Sequence, residues 1–133
     1  MKSLRLFTGH QTPPNALPAD IRAALGPIEK RNVYYKDTPD DLRTELWARF
    51  KGAIRPLQEA GELGAVLFQF PPWVVFGRQS LAHIAHCAEA MAGCRIAVEF
   101  RHHSFMDEAN RAEVLDFERG HGLSQVVVDE PQG

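Results

Sequence analysis

The stretch AVEFRHHSF, residues 97–105, places an acid, a guanidinium and two imidazoles within five positions, Glu99 to His103, where an apolar run ends. Carboxylates and imidazoles move protons near neutral pH and ligate divalent transition metals, while guanidinium clamps anions. A metal centre would draw on Glu99, His103 and Asp129. Adjacent histidines point apart, so His102 and His103 rarely serve one ion together. The other reading makes them hydrogen-bonded or acid–base groups.

Side chains alternate along a strand. Ala97, Glu99 and Arg101 therefore share one face, and Ile96, Val98 and Phe100 take the other, where helices would cover them. That turns Glu99 and Arg101 to the inner side of the sheet. A lone buried carboxylate costs several kcal/mol, so Glu99 must be paired, protonated or bound to a ligand. Arg101 is the nearest partner. The pair could serve packing and register alone, but its place at a strand end favours work on a ligand. Two further strand ends carry special residues, Gln69 with Trp73 after a double proline, and Asp129 with Glu130. Trp73 reads either as a stacking or lid residue or as a core aromatic beneath a loop.

These side chains need a scaffold. Residues 11–19 hold three prolines and read as a loop. A short helix is expected from Asp20 to Leu25, and residues 28–37 give no clear pattern. Thr38, Pro39, Asp40 and Asp41 open a helix predicted over 39–60, with Thr38 as its cap, Leu42, Leu46, Phe50, Ile54 and Leu57 facing a core, a bend or interruption at Pro56 and a stop at Gly61. LGAVLFQFPP reads as a strand buried on both faces. A helix over 78–92 buries Leu81, Ile84, Ala85, Ala88 and Met91 and leaves His83, His86 and Cys87 on a solvated face. A strand over 95–101 follows, then a helix over 107–119 with Ala109, Ala112, Leu115 and Phe117 inward, and a last strand in SQVVVDEP. Strands alternating with helices give an α/β fold with a parallel sheet, whose ligands bind beyond the carboxyl ends of the strands.

Bulk properties narrow the classes. With 133 residues, 44% apolar and 24% charged, the chain reads as one soluble globular domain. A net charge of −2 with scattered basic residues gives nucleic acid no support from composition, and no apolar window suits a signal peptide or a membrane span. Two cysteines without a CxxC spacing fit a reducing, cytoplasmic setting. Glycine-rich phosphate loops, nucleophile elbows and zinc ribbons are absent from the sequence.

LGAVLFQFPP at 63–72, AVEFRHHSF at 97–105 and FTGH at 7–10 after Lys2 come in an order that resembles the YecE-like proteins, domain-of-unknown-function family 72. The resemblance implies a TIM-like (β/α) barrel and a site, without naming a reaction. Position by position it marks Lys2, Thr8, His10, Gln69, Glu99, Arg101, His102 and Asp129. Phe105 stands where relatives carry tryptophan, and Gly9 separates Thr8 from His10. A complete barrel takes about 250 residues. Residues 1–133 are thus expected to form a single partial domain, a fragment of about half a barrel matching the family's middle, whose exposed strand edges favour oligomers or another chain.

An enzyme is the first functional expectation, with acid–base or metal-assisted chemistry on a sugar, phosphate or nucleotide-like substrate. Glu99 would be the base or metal ligand, Arg101 the anion clamp, and His103 or His10 the proton shuttle. A nucleic-acid or endonuclease-like module is the alternative, for which Arg78, Arg101 and Arg111 offer three rim cations. An inactive truncated remnant is the third.

Overall fold

The computed structural model describes residues 1–27 and 32–126. Its helices are α1 (Ala19–Leu25), α2 (Asp40–Glu59), α3 (Arg78–Ala90) and α4 (Glu108–Gly120), and its strands are β1 (Val66–Phe70), β2 (Ile96–Phe100) and β3 (Leu123–Gln125). The three strands form one parallel sheet in the order β1-β2-β3, with Gln69 beside Glu99 and Phe70 beside Phe100. Residues 1–3 extend the free side of β1: Leu67 N–H donates to Met1 O at 2.7 Å and Ser3 N–H to Leu67 O at 2.9 Å. Lys2 thereby bridges Leu67, two residues before Gln69.

Burial alternates along β1, whereas β2 is buried at all five positions. Val66, Phe68 and Phe70 of β1 and Ile96, Val98 and Phe100 of β2 are buried. The turn after Ser3 drops Phe7 into this core, where its ring stacks on Trp47 of α2 at 3.6 Å and meets Phe50 edge-on at 5.8 Å. Such aromatic pairs each add about 0.5–1.5 kcal/mol beyond the area they bury. They tie the amino-terminal loop to α2 and so fix the position of Thr8 and His10.

Several expectations are corrected. Thr38 does not cap α2; Pro39 holds that position, and Thr38 Oγ1 donates instead to Tyr34 O at 3.0 Å. Pro56 does not interrupt the helix, which runs on to Glu59: only the proline's own N–H is lost, and Ile54 anchors the preceding turn in the core. On β1, Leu67 and Gln69 are half-buried rather than buried, because the cover over the inner face is incomplete. The buried stripe of α4 is Val114 with Glu118, flanked by half-buried Phe117, while Ala109, Ala112 and Leu115 face solvent. On α3, Cys87 joins Ile84 on the buried face and His83 is half-buried against Phe7 O, while His86 is exposed as expected, with Nε2 2.7 Å from Tyr35 Oη. β3 covers the start of the expected strand, and residues 127–131 of that run, Asp129 included, lie outside the described residues.

Candidate functional site

Alternation on β2 places Glu99 on the inner face, and the structure buries it to 6% exposure. Arg101 Nε donates to Glu99 Oε2 at 3.0 Å. The arrangement is lopsided: 8% of the carboxylate side chain is accessible against 35% of the arginine. Among the described residues the guanidinium's terminal nitrogens make no hydrogen bond.

Beside this pair, Lys2, Arg5, Thr8, His10, Leu67 and Gln69 enclose a cavity of about 190 Å³. The tight turn over residues 5–9 assembles it, with Gly9 taking a positive φ of 82° that carries the chain from Thr8 to His10. His10 Nδ1 lies 2.7 Å from the Thr8 hydroxyl, which lies 3.2 Å from Arg5 O. That hydroxyl can donate to His10 Nδ1, or turn to Arg5 O and accept Nδ1–H. Either imidazole tautomer is therefore supported. Burial lowers the His10 pKa, and the positive charges of Arg5, Lys2 and Arg101 lower it further, so the ring stays neutral near pH 7. An imidazole held neutral among three cations is suited to receive a proton while the cations hold a negative group.

Lys2, Thr8, His10 and Gln69 are thus brought together, with Arg101 near enough to act on His10. Arg5 was missed, although it lies three residues before Thr8 in the same turn. Trp73 Nε1 donates to Gly9 O at 3.1 Å, and its ring meets His10 edge-on at 6.2 Å, so it walls the loop rather than filling a core. The two adjacent histidine rings do not point apart as expected: they stack with centroids 4.4 Å apart, yet bond to different partners. His102 Nδ1 accepts from Ser104 N–H at 3.1 Å, and Ser104 Oγ accepts from Phe76 N–H at 2.8 Å, a chain that ties the loop after β2 to the loop after β1. His103 is exposed and pairs with Asp107 at 3.3 Å. Phe105 is buried and stacks on Phe100 at 4.0 Å. Among the described residues no three His, Cys, Asp or Glu side chains converge as a metal site would need.

A family model described as "Protein of unknown function DUF72" matches residues 1–133. The chain belongs to the DUF72 family. It is 32% identical over 96 residues to the UPF0759 protein YunF of Bacillus subtilis, covering 72% of this chain and 34% of that protein. A DUF72 family protein from Enterococcus faecalis V583 superposes with a TM-score of 0.65 at 28% identity, over 67% of this chain and 32% of that one. One from Thermotoga maritima MSB8 gives 0.59 at 37% identity, over 67% and 32%. The chain therefore spans about a third of the length of the relatives it matches. Its parallel sheet and alternating helices are part of the family's TIM-like α/β barrel, and its polar strand ends lie where such barrels carry their sites.

Proposed function

We propose that this DUF72 chain supplies the anion-binding and proton-transfer side of an enzyme site at the carboxyl ends of the barrel strands, acting on a small phosphorylated or otherwise anionic substrate such as a sugar phosphate. The observation that carries this reading is the placement of His10 among Lys2, Arg5 and Arg101 at a cavity floored by Gln69, where burial and those charges lower its pKa. His10 is the proton carrier, with the Thr8 hydroxyl holding its Nδ1 in either tautomer. Lys2, Arg5 and the terminal guanidinium nitrogens of Arg101 hold the anion, and Glu99 holds Arg101 in place. His103, exposed and paired with Asp107, is left out of the proton path. Cys87 and Cys94 are both free thiols, which supports a reducing compartment such as the cytoplasm.

The test is a titration with ribose 5-phosphate, followed through the His10 ring resonances. The His10 signals should shift saturably, and Arg5→Met should weaken binding about tenfold or more. No movement of His10, or unchanged affinity in the variant, would overturn the reading. Stronger binding of an oligonucleotide, falling steeply with salt, would favour the nucleic-acid alternative instead.

A further inference from the structure

Trp73 also borders a second, larger cavity of about 610 Å³, lined by Tyr34, Tyr35, Lys36, Arg43, His83 and His86 among others. None of the acid–base or anion-holding residues named above lines it. Three features make it more than a gap between side chains.

Trp73 comes first. Its Nε1–H is tied to Gly9 O, yet the residue is 53% exposed, so an aromatic face is held in a fixed position and left uncovered. A free surface tryptophan would turn. A ring already held loses little freedom when a flat ligand stacks on it.

His83 is the second. Its Nε2 lies 2.6 Å from Phe7 O. A carbonyl only accepts, so Nε2 carries the proton and Nδ1 of the neutral ring carries a lone pair. Burial lowers the His83 pKa, which keeps the ring neutral at physiological pH. Nδ1 makes no hydrogen bond to a described residue, so the cavity wall presents an acceptor with a settled tautomer. Behind it, Trp47 Nε1–H donates to Tyr35 Oη at 2.9 Å, and Tyr35 Oη lies 2.7 Å from His86 Nε2. This chain of bonds holds the back wall rigid.

Charge is the third. The guanidinium of Arg43 lies 4.6 Å from the Tyr35 ring centroid, with Nε–H donating to Tyr35 O at 2.9 Å, and the exposed Lys36 lies 6.0 Å from the Tyr34 ring. Two carboxylates stand near: Asp40 is engaged by Arg43 at 3.2 Å, and Asp37 follows Lys36 in the chain, but neither lines the cavity. The wall thus offers a stacking face, an acceptor and positive charge in one space of small-ligand size.

We propose that this cavity binds a planar aromatic or heteroaromatic group bearing a phosphate or carboxylate. The ring stacks on Trp73, an N–H or amino hydrogen goes to His83 Nδ1, and the anion lies at Lys36 and Arg43. The site is separate from the strand-end cavity, so its failure leaves the proposed function standing, and the reverse also holds.

The full chain is titrated with adenosine 5′-monophosphate, adenosine, inorganic phosphate and 4-aminobenzoate, reading tryptophan fluorescence and the His83 ring resonances. Saturable binding of the monophosphate identifies phosphate as the anion, and binding of 4-aminobenzoate alone identifies carboxylate. Adenosine and inorganic phosphate should each bind at least about tenfold more weakly than the ligand that combines ring and anion. Lys36 is exposed, so Lys36→Gln should leave the melting temperature unchanged and weaken binding about fivefold or more. The proposal is overturned if neither combined ligand saturates below about 10 mM, if inorganic phosphate binds as tightly as the monophosphate, or if Lys36→Gln binds like the parent.

Discussion

The Glu99 carboxylate is buried and the Arg101 guanidinium that holds it, at 3.0 Å through Nε, is one-third open to solvent. The two partners are therefore unequal in what their loss does. Arg101→Leu leaves a buried carboxylate with its donor gone and should lower stability by about 1–3 kcal/mol, the order of an unsatisfied buried group, less than for a fully enclosed pair because solvent reaches this one. Glu99→Gln keeps the shape and an acceptor oxygen for Arg101, and should cost under about 1 kcal/mol. Urea unfolding of the two variants beside the parent checks the order. If Glu99→Gln proves the more damaging, the carboxylate has a partner other than Arg101.

Stability should fall as the pH is lowered below the ordinary imidazole range, and His10 and His83 should contribute. Both have pKa values lowered from 6.5, burial being the leading cause in each. The unfolded chain takes up a proton on each ring near 6.5, while the folded chain does so only at lower pH. Between those points the unfolded state binds more protons, so the stability present above 6.5 declines until the folded-state rings have titrated. The double variant His10→Gln and His83→Gln should show a shallower decline between about pH 7 and about pH 5 than the parent. Equal slopes would mean that the carboxylates alone set the acid limb.

Cys87 and Cys94 should differ in reactivity. Burial pushes the Cys87 thiol up to about 12, so almost none is thiolate at neutral pH, and the surrounding core keeps reagent out. Cys94 is half-buried beside the Gln58 amide. With Ellman's reagent the folded chain should release one equivalent quickly and the second only on denaturation. Two fast equivalents would show that α3 opens readily from the amino-terminal loop.

The sheet was legible because β1 is an apolar run between Gly64 and Pro71 and β2 one that follows Gly93, and alternation alone put Glu99 and Arg101 on one face. Local patterns failed where distant chain supplies the environment. His83 and Cys87 look like a solvated helix face until the carbonyl of Phe7, far away in sequence, comes to lie over them. Arg5 carries no motif, and its place in the cavity follows from a turn that Phe7 anchors against Trp47. On α4, a charge at position 118 hid the stripe that Val114 begins. A helix-period reading rejects a glutamate from the core unless its partner is known, and that partner lies on another element.

Glu118 on α4 is 4% exposed, and burial raises its pKa. Turning the Gln125 amide so that its nitrogen faces α4 gives hydrogen bonds of 3.0 and 3.1 Å to the two carboxylate oxygens, which join the helix to β3. Because the folded-state pKa lies above the unfolded value, the folded chain keeps a proton that the unfolded chain has released, and stability from this group declines as pH rises through that window. Glu118→Met should remove the decline and, by deleting a desolvated charge, stabilise the chain at neutral pH by on the order of 1 kcal/mol. Gln125→Leu should act the other way. It strips the carboxylate of its donors, raises the Glu118 pKa further and costs about 1–3 kcal/mol at neutral pH, with a smaller cost in acid where Glu118 is protonated. A pH-independent penalty for Gln125→Leu would show that Gln125 supports β3 without touching Glu118.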